Sequence, residues 1–506
     1  MNIQAYMSDT MKSNNRNGSI DNTFHYFVFH EKRNKMLLLI ALVGSILQFI
    51  IFKVLYPFPD FISDSWSYIA TNIYRMDVNL WPIGYSKFLW IVHQISHSDT
   101  FLIAVQYLIL ETCLFYFFIT INYLYRPPKI SLLILFIFLL FNPMFLYLSN
   151  CVLSDALFSS LTLVFLAQFL HMLNRPTISQ VLIQGIIIGI AFTIRYTAIY
   201  YPFIAITGLL LARHKPITKI WGALIGLALM LPFILYTKQK TKEITGTAEF
   251  SVFGGWQIAN NALYMYDHIS VDSNKLPYET RSLDRMSRKF FEKTPPSSEE
   301  LAALPGTYFI KVPWAILKPY MAYRYAFANP KEQFWAWGQV SPVYNKYGSY
   351  LITHYPIDFV RYYLWLNTKN YFLPHLEKFG SYNVEISTVP PDVQDWFDYI
   401  TPDVYAVSVN FQGKLFYIYP ILFSTLNVYF VVCIAWILLT GRFRKLNPHS
   451  KLTLIFASIF LSLNFGFSVF ATPVVLRYQV VPLIILFTFT LLLPHLLDNT
   501  NKLNKF

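Results

Sequence analysis

A multispanning α-helical membrane protein is the fold class this sequence predicts, and three observations predict it. Only 13% of its 506 residues are charged, whereas a soluble domain carries about 25%. Hydrophobic residues make up 55% and aromatic residues 18%, which leaves too few charges to surface several soluble cores. About ten apolar runs reach, or nearly reach, the roughly 20 residues that cross about 30 Å of hydrocarbon. Disordered, collagen-like and coiled-coil chains are excluded by the abundance of apolar residues, by only 18 glycines and by the absence of a heptad run.

Residues 1–35 are polar and read as a cytoplasmic tail. The first apolar run starts near Met36 and continues to about Tyr56 without a small-residue cleavage site, so it is expected to be retained as a span. Further runs start near Thr100, Ile130, Val152, Ser179, Thr197, Ile217, Leu415, Leu452 and Leu476, the fifth and sixth being the shortest. Residues 36–237 thus form an N-terminal transmembrane module whose first outer loop is 57–99, and residues 414–506 form a C-terminal one. Residues 238–413 are too long and polar for a connector. With Pro295-Pro296, Pro390-Pro391 and many aromatics, they read as an external, partly amphipathic domain.

The net charge of +13 is spread between hydrophobic runs, not gathered on one face, which argues against a nucleic-acid partner. Cys113, Cys151 and Cys433 make neither a zinc nor a disulfide pattern. Lys and Arg concentrate in cytoplasmic loops. Running the odd spans outward puts Lys32, Arg33, Lys35, Arg126, Lys129, Arg175, Arg213, Lys215, Lys219, Arg442, Arg444, Lys445, Lys451, Lys502 and Lys505 inside. The outer side receives 57–99, 238–413 and short turns near Asn150, Arg195 and Thr472.

Charges that this rule does not explain are the candidates for chemistry. Asp60 and Asp64 stand four residues apart in the first outer loop, and would share a face if the stretch were helical from Asp60. Capping of a surface helix reaching about Arg75 by Ser63 or Asp64 is the alternative. Asp155 lies about one turn into the fourth span, where an ionised carboxylate needs a partner or a function; helix capping is again the alternative. Arg195 and Arg477 sit at outer ends of apolar runs, and their planar forks suit phosphate as well as snorkelling to headgroups. Tyr478, beside Arg477, is either a site residue or an interfacial aromatic. Glu111 falls near the middle of the second span, where a functional role and a contact with a neighbouring helix are equally open. The chain has no HExxH motif, Walker loop or GxSxG elbow.

Carboxylates and arginines at one membrane boundary suit a substrate with its tail in the bilayer and a phosphate at the surface, such as a lipid-phosphate-linked sugar. A carboxylate would take the proton of an acceptor hydroxyl, and arginines would meet the charge of the departing phosphate.

Several strings carry a resemblance in shared order. They are Asp64-Ser65-Trp66-Ser67-Tyr68, Pro82-Ile83-Gly84-Tyr85, Leu153-Ser154-Asp155-Ala156-Leu157 and Arg477-Tyr478-Gln479-Val480-Val481-Pro482, with His354-Tyr355-Pro356-Ile357-Asp358-Phe359 less specific. Together they resemble the GT-C superfamily of integral membrane glycosyltransferases. The resemblance implies a polyprenyl-phosphate-sugar donor, a glycan, lipid or protein acceptor, inverting transfer and a catalytic Asp in the first outer loop. Carried onto this chain, Asp64 is the base, Asp60 a helper and Asp155 a second acid. Arg195, Arg477 and Tyr478 would bind the donor phosphate, and Tyr68, Tyr85 and His354 are candidates for substrate contact. Some members use a divalent cation, but no metal ligand set is evident in this sequence. Many members have more spans than ten. The implied location is a bacterial inner membrane, with the site facing the periplasm or exterior. Two other readings compete: an O-antigen ligase or polymerase acting on similar lipids, and a transporter or flippase of lipid-linked sugars.

Overall fold

The computed structural model describes residues 23–174, 177–211, 215–304, 306–471 and 473–502. Residues 1–22 of the tail, Arg175, Arg213, Thr472 and Lys505 lie outside the described residues.

Each of the ten predicted runs folds as helix. Among the described residues, eight helical segments are long and apolar enough to cross a bilayer: Lys32–Leu55, Asp99–Tyr125, Lys129–Asn150, Asp155–Leu173, Pro216–Thr245, Phe411–Leu439, Pro448–Ala471 and Leu476–Leu497. The short fifth and sixth runs are Ile178–Ile194 and Tyr196–Leu211. At 1.5 Å per residue the former is about 26 Å long, slightly less than the hydrocarbon thickness. Among the described residues there is no sheet, only isolated bridges.

The third span is broken. Its helix stops at Leu140, and a second one starts at Pro143 after Asn142 caps it by accepting from the Met144 N–H at 3.0 Å. Two sequence boundaries move as well. The helix expected to stop at residue 237 continues to Thr245, where Gly246 at φ +75° ends it, and the 413/414 boundary falls inside the helix Phe411–Phe416. Burial ranks the spans. In Asp155–Leu173 and Leu476–Leu497 the buried share is 72% and 67%, against 17% for Lys32–Leu55, so the two central helices are those that carry Asp155 and Arg477 at their starts.

Three apolar cores follow. The largest joins the spans. A second joins Met76 and Val78 of the first loop to residues 252–363, where Val252–Leu263 runs beside Pro330–His354 and Trp256 stacks on Trp337 with ring centroids 3.8 Å apart. A third unites the first-loop helices Ser63–Ile73 and Gly84–Ile95 with Val389, Val393 and Trp396.

The bundle has two chemically different ends. At one, Arg33 donates to Asn122, Tyr125 bonds Thr453 and His495 bonds the Tyr125 carbonyl, joining the loops assigned to the basic side. At the other, the first loop, the 150–155 turn, Arg195, residues 375–385 and Arg477 converge.

Candidate functional site

Short pieces of backbone pairing assemble the site. Asp60 lies in an extended segment, its N–H donating to the Asn150 carbonyl at 3.0 Å and its carbonyl accepting from the Val152 N–H at 3.2 Å. The next helix begins only at Ser63, because the Ile62 N–H donates to Ser65 Oγ at 3.1 Å. Both open readings of this stretch are thereby set aside: Asp60 shares no helix face with Asp64, and neither Ser63 nor Asp64 caps the helix. Asp64 sits in the first turn with its carboxylate free to face Arg477.

Asp155 is the first residue of its helix, not one turn inside it. Arg195 interrupts two helices in an extended conformation (φ −147°, ψ 134°), which turns its side chain toward Asp155. Arg477 lies in a 3-10 turn, Leu476–Gln479, that a parallel bridge holds to residue 375, with the Leu476 N–H donating to the His375 carbonyl at 2.8 Å.

Arg477 faces three carboxylates. Its Nε donates to Glu377 Oε2 at 2.8 Å, Nη1 to Asp155 Oδ2 at 2.9 Å, and Nη2 stands 3.7 Å from Asp64 Oδ2. The other Asp155 oxygen takes Arg195 Nη1 in close contact. Lys311 Nζ donates to Glu377 Oε1 at 2.6 Å. Both guanidinium carbons lie 4.3 Å from the Tyr478 ring centroid, in cation–π range. Neither arginine snorkels, with side-chain exposures of 7% for Arg477 and 17% for Arg195. Asp155 is 3% exposed and Glu377 14%, against 24% for Asp64, so the most accessible carboxylate is also the least tightly paired.

The charges tune one another. Burial raises the Asp64 carboxyl above its ordinary range, with Arg477 and Lys378 pulling it back. Burial also lifts Asp60 to about 7 against Lys378 and the Asn383 N–H. Glu377 goes the other way: burial opposes its charge, but Arg477, Lys311 and Lys378 outweigh it and hold the carboxyl well below the usual range.

The remaining candidates fall into distinct places. Tyr68 is buried in the site wall, its hydroxyl paired with Ser154 at 3.1 Å. Tyr85 supports that wall from behind, donating to Gln106 at 2.6 Å while Gln106 holds the Ser149 carbonyl at 2.8 Å. Asp60 is a clamp, accepting the Asn383 N–H at 3.1 Å. His354 is not brought to the cluster; it is exposed at the end of its helix, stacked on Tyr350 at 3.8 Å. Glu111 makes the interhelical contact, accepting from Ser45 at 3.2 Å inside the bundle. Sequence reasoning missed Glu377, Lys311 and Lys378, which carry no spacing signal within a polar segment.

A cleft of about 530 Å³, including its open mouth, descends between the spans from this cluster. Arg195, Arg477, Tyr478 and Asp155 form its polar end, and Tyr200, Phe460 and Phe467 are among its apolar walls. Among the described residues no three His, Cys, Asp or Glu side chains are grouped to hold a metal. Asp155 and Glu377 are already neutralised by Arg and Lys, so the residues present do not fit a divalent cation. Compared with known proteins, the chain matches no family model, and no curated protein or solved structure is significantly similar to it.

Proposed function

We propose that this membrane protein is a glycosyltransferase of the GT-C kind, moving a sugar from a polyprenyl-phosphate donor to an acceptor hydroxyl. The observation that carries the reading is an accessible carboxylate, Asp64, 3.7 Å from Arg477, a guanidinium that lines the polar end of an apolar-walled cleft. In this mechanism Asp64 removes the acceptor proton as the acceptor oxygen attacks the anomeric carbon from the face opposite the phosphate. The bond between that carbon and the phosphate oxygen breaks, the configuration inverts, and the electron pair leaves on the phosphate. Arg477 and Arg195 stabilise that charge where water is largely excluded. The raised Asp64 carboxyl suits a general base, whose efficiency improves as its pKa approaches the working pH. Asp155 keeps both guanidiniums oriented. The basic end of the bundle would face the cytosol and the site the opposite compartment.

The test is release of free polyprenyl phosphate from a lipid-linked sugar by purified protein in nanodiscs. Asp64→Asn should slow transfer by about 100-fold or more. A nearly intact rate removes Asp64 as base. A donor that only changes leaflet, its sugar bond intact, replaces the enzyme reading with that of a flippase.

A further inference from the structure

Beside the Asp155 pair lies a second charged group that the mechanism above does not use. Glu377 bridges two cations, with one oxygen 2.8 Å from Arg477 Nε and the other 2.6 Å from Lys311 Nζ. Lys378 is within electrostatic reach of Glu377, Arg477, Lys311 and Asp64. Two cations thus grip one carboxylate, one on each oxygen, with Lys378 further off, an arrangement that would equally suit two oxygens of a phosphate monoester.

The backbone beneath Glu377 is unusual. Its φ is +49°, a left-handed conformation that non-glycine residues adopt at a cost and that persists only where surrounding structure enforces it. The enforcement is visible on both sides. The His375 carbonyl accepts from the Leu476 N–H at 2.8 Å, and the Lys378 carbonyl accepts from Gln412 Nε2 at 2.8 Å. At Gly413 a Cβ would stand 2.3 Å from the Gly380 carbonyl oxygen, so a glycine is needed for the turn to settle there. The chain therefore holds Glu377 over the cations by a strained, multiply anchored turn.

We propose that Lys311, Lys378 and Arg477 form a phosphate cradle that Glu377 fills as a built-in counter-anion, and that a phosphate monoester binds by displacing the Glu377 carboxylate. The inference rests on the reading above only in taking that monoester to be a prenyl phosphate. A ligand that must first displace Glu377 binds with an affinity reduced by the fraction of time the cradle is open. Neutralising Glu377 lifts that reduction. A purely structural Glu377 would behave oppositely, since its loss would loosen Lys311 and Arg477 and weaken anion binding.

The experiment titrates farnesyl monophosphate and, separately, inorganic phosphate into the detergent-solubilised full-length protein at pH 8, with farnesol as the uncharged control. Glu377→Gln should tighten farnesyl monophosphate binding by about tenfold. Lys311→Met should weaken it, and the double variant should fall between the two, with farnesol binding unchanged throughout. Tightening of inorganic phosphate as well assigns recognition to the head group alone; tightening of farnesyl monophosphate only makes the prenyl tail part of the ligand. Unchanged or weaker phosphate binding in a Glu377→Gln protein that melts like the wild type overturns the proposal. Should that variant not fold, Glu377→Asp, which keeps the charge but withdraws it by one methylene, is expected to tighten binding too, and unchanged affinity there overturns it equally. Tighter phosphate binding without glycosyl transfer from any donor would leave the cradle standing and remove the transferase reading.

Discussion

Arg477 shows how one residue can set three carboxylates apart. Its hydrogen bonds to Asp155 and Glu377 are at charge-assisted distances, while the 3.7 Å to Asp64 is too long for a hydrogen bond. Buried ion pairs add little net stability, but an orphaned member is costly, so Asp155 stays committed to the arginine, Glu377 leaves it only where another anion takes its place, and Asp64 keeps its freedom to exchange protons. Asp60 has another role, and its ionisation is measurable. Burial raises its carboxyl from 3.8 to about 7, so between roughly pH 4 and 7 the folded chain holds a proton that the unfolded chain has released. The stability this confers is complete below the unfolded pKa and is lost as pH rises toward 7, by about 4 kcal/mol at most. Asp60→Asn retains an acceptor for the Asn383 N–H and cannot ionise. The wild type should therefore lose more thermal stability than Asp60→Asn between pH 5 and 8 in detergent. Parallel melting curves for the two would show that Asp60 does not titrate in that window.

At the scale of elements, the site depends on close approach of the first-loop helix Gly84–Ile95 to the end of Ile178–Ile194. A Cβ on Gly84 would lie 2.5 Å from the Thr193 carbonyl oxygen and 2.7 Å from Thr193 Oγ1, two residues before Arg195. Backbone on one side leaves nothing flexible to yield. Gly84→Ala should cost about 1–3 kcal/mol through overpacking and reduce transfer by displacing Arg195, whereas Lys87→Ala on the exposed side of the same helix should change neither. Equal melting temperatures for the two variants would refute the constraint. Such contacts explain what could be read in advance. Asp64, Asp155, Arg195 and Arg477 were legible because each is a charge beside or within an apolar run, where hydropathy alone predicts none. Glu377, Lys311 and Lys378 were not, since they stand among many polar residues of 238–413 and meet Arg477 only through the pairing of residues 375 and 475. The condition for Asp60 and Asp64 to share a face, a helix from Asp60, is not met for a local reason: Ser65 captures the Ile62 N–H and starts the helix at Ser63. His354 looked like a site residue by its string, but its ring is taken by Tyr350.

For the whole molecule, apolar runs announced each of the eight long apolar helices, because a membrane helix satisfies its own backbone and leaves composition as the main requirement. How residues 238–413 fold was not announced, since that core is built from aromatic pairs such as Trp256 and Trp337 that periodicity does not reveal. The two ends of the bundle differ sharply in charge. Lys32, Arg33, Lys35, Arg126, Lys129, Lys215, Lys219, Arg442, Arg444, Lys445 and Lys451 gather at the end away from the site, in or beside short loops, with Glu31 opposing them. Such a bias fixes orientation during insertion, when short loops rich in Lys and Arg are retained on the cytosolic side. Basic residues near the site do not carry the same weight, since Lys311 and Arg477 are neutralised by carboxylates and long segments translocate largely regardless of charge. Both exposed positions Glu299 and Lys445 can report the outcome. In spheroplasts, a membrane-impermeant maleimide should label Glu299→Cys directly and Lys445→Cys only after lysis, with the native thiols replaced by serine in both. Labelling of Lys445→Cys before lysis would invert the molecule and put the Asp64–Arg477 site in the cytosol.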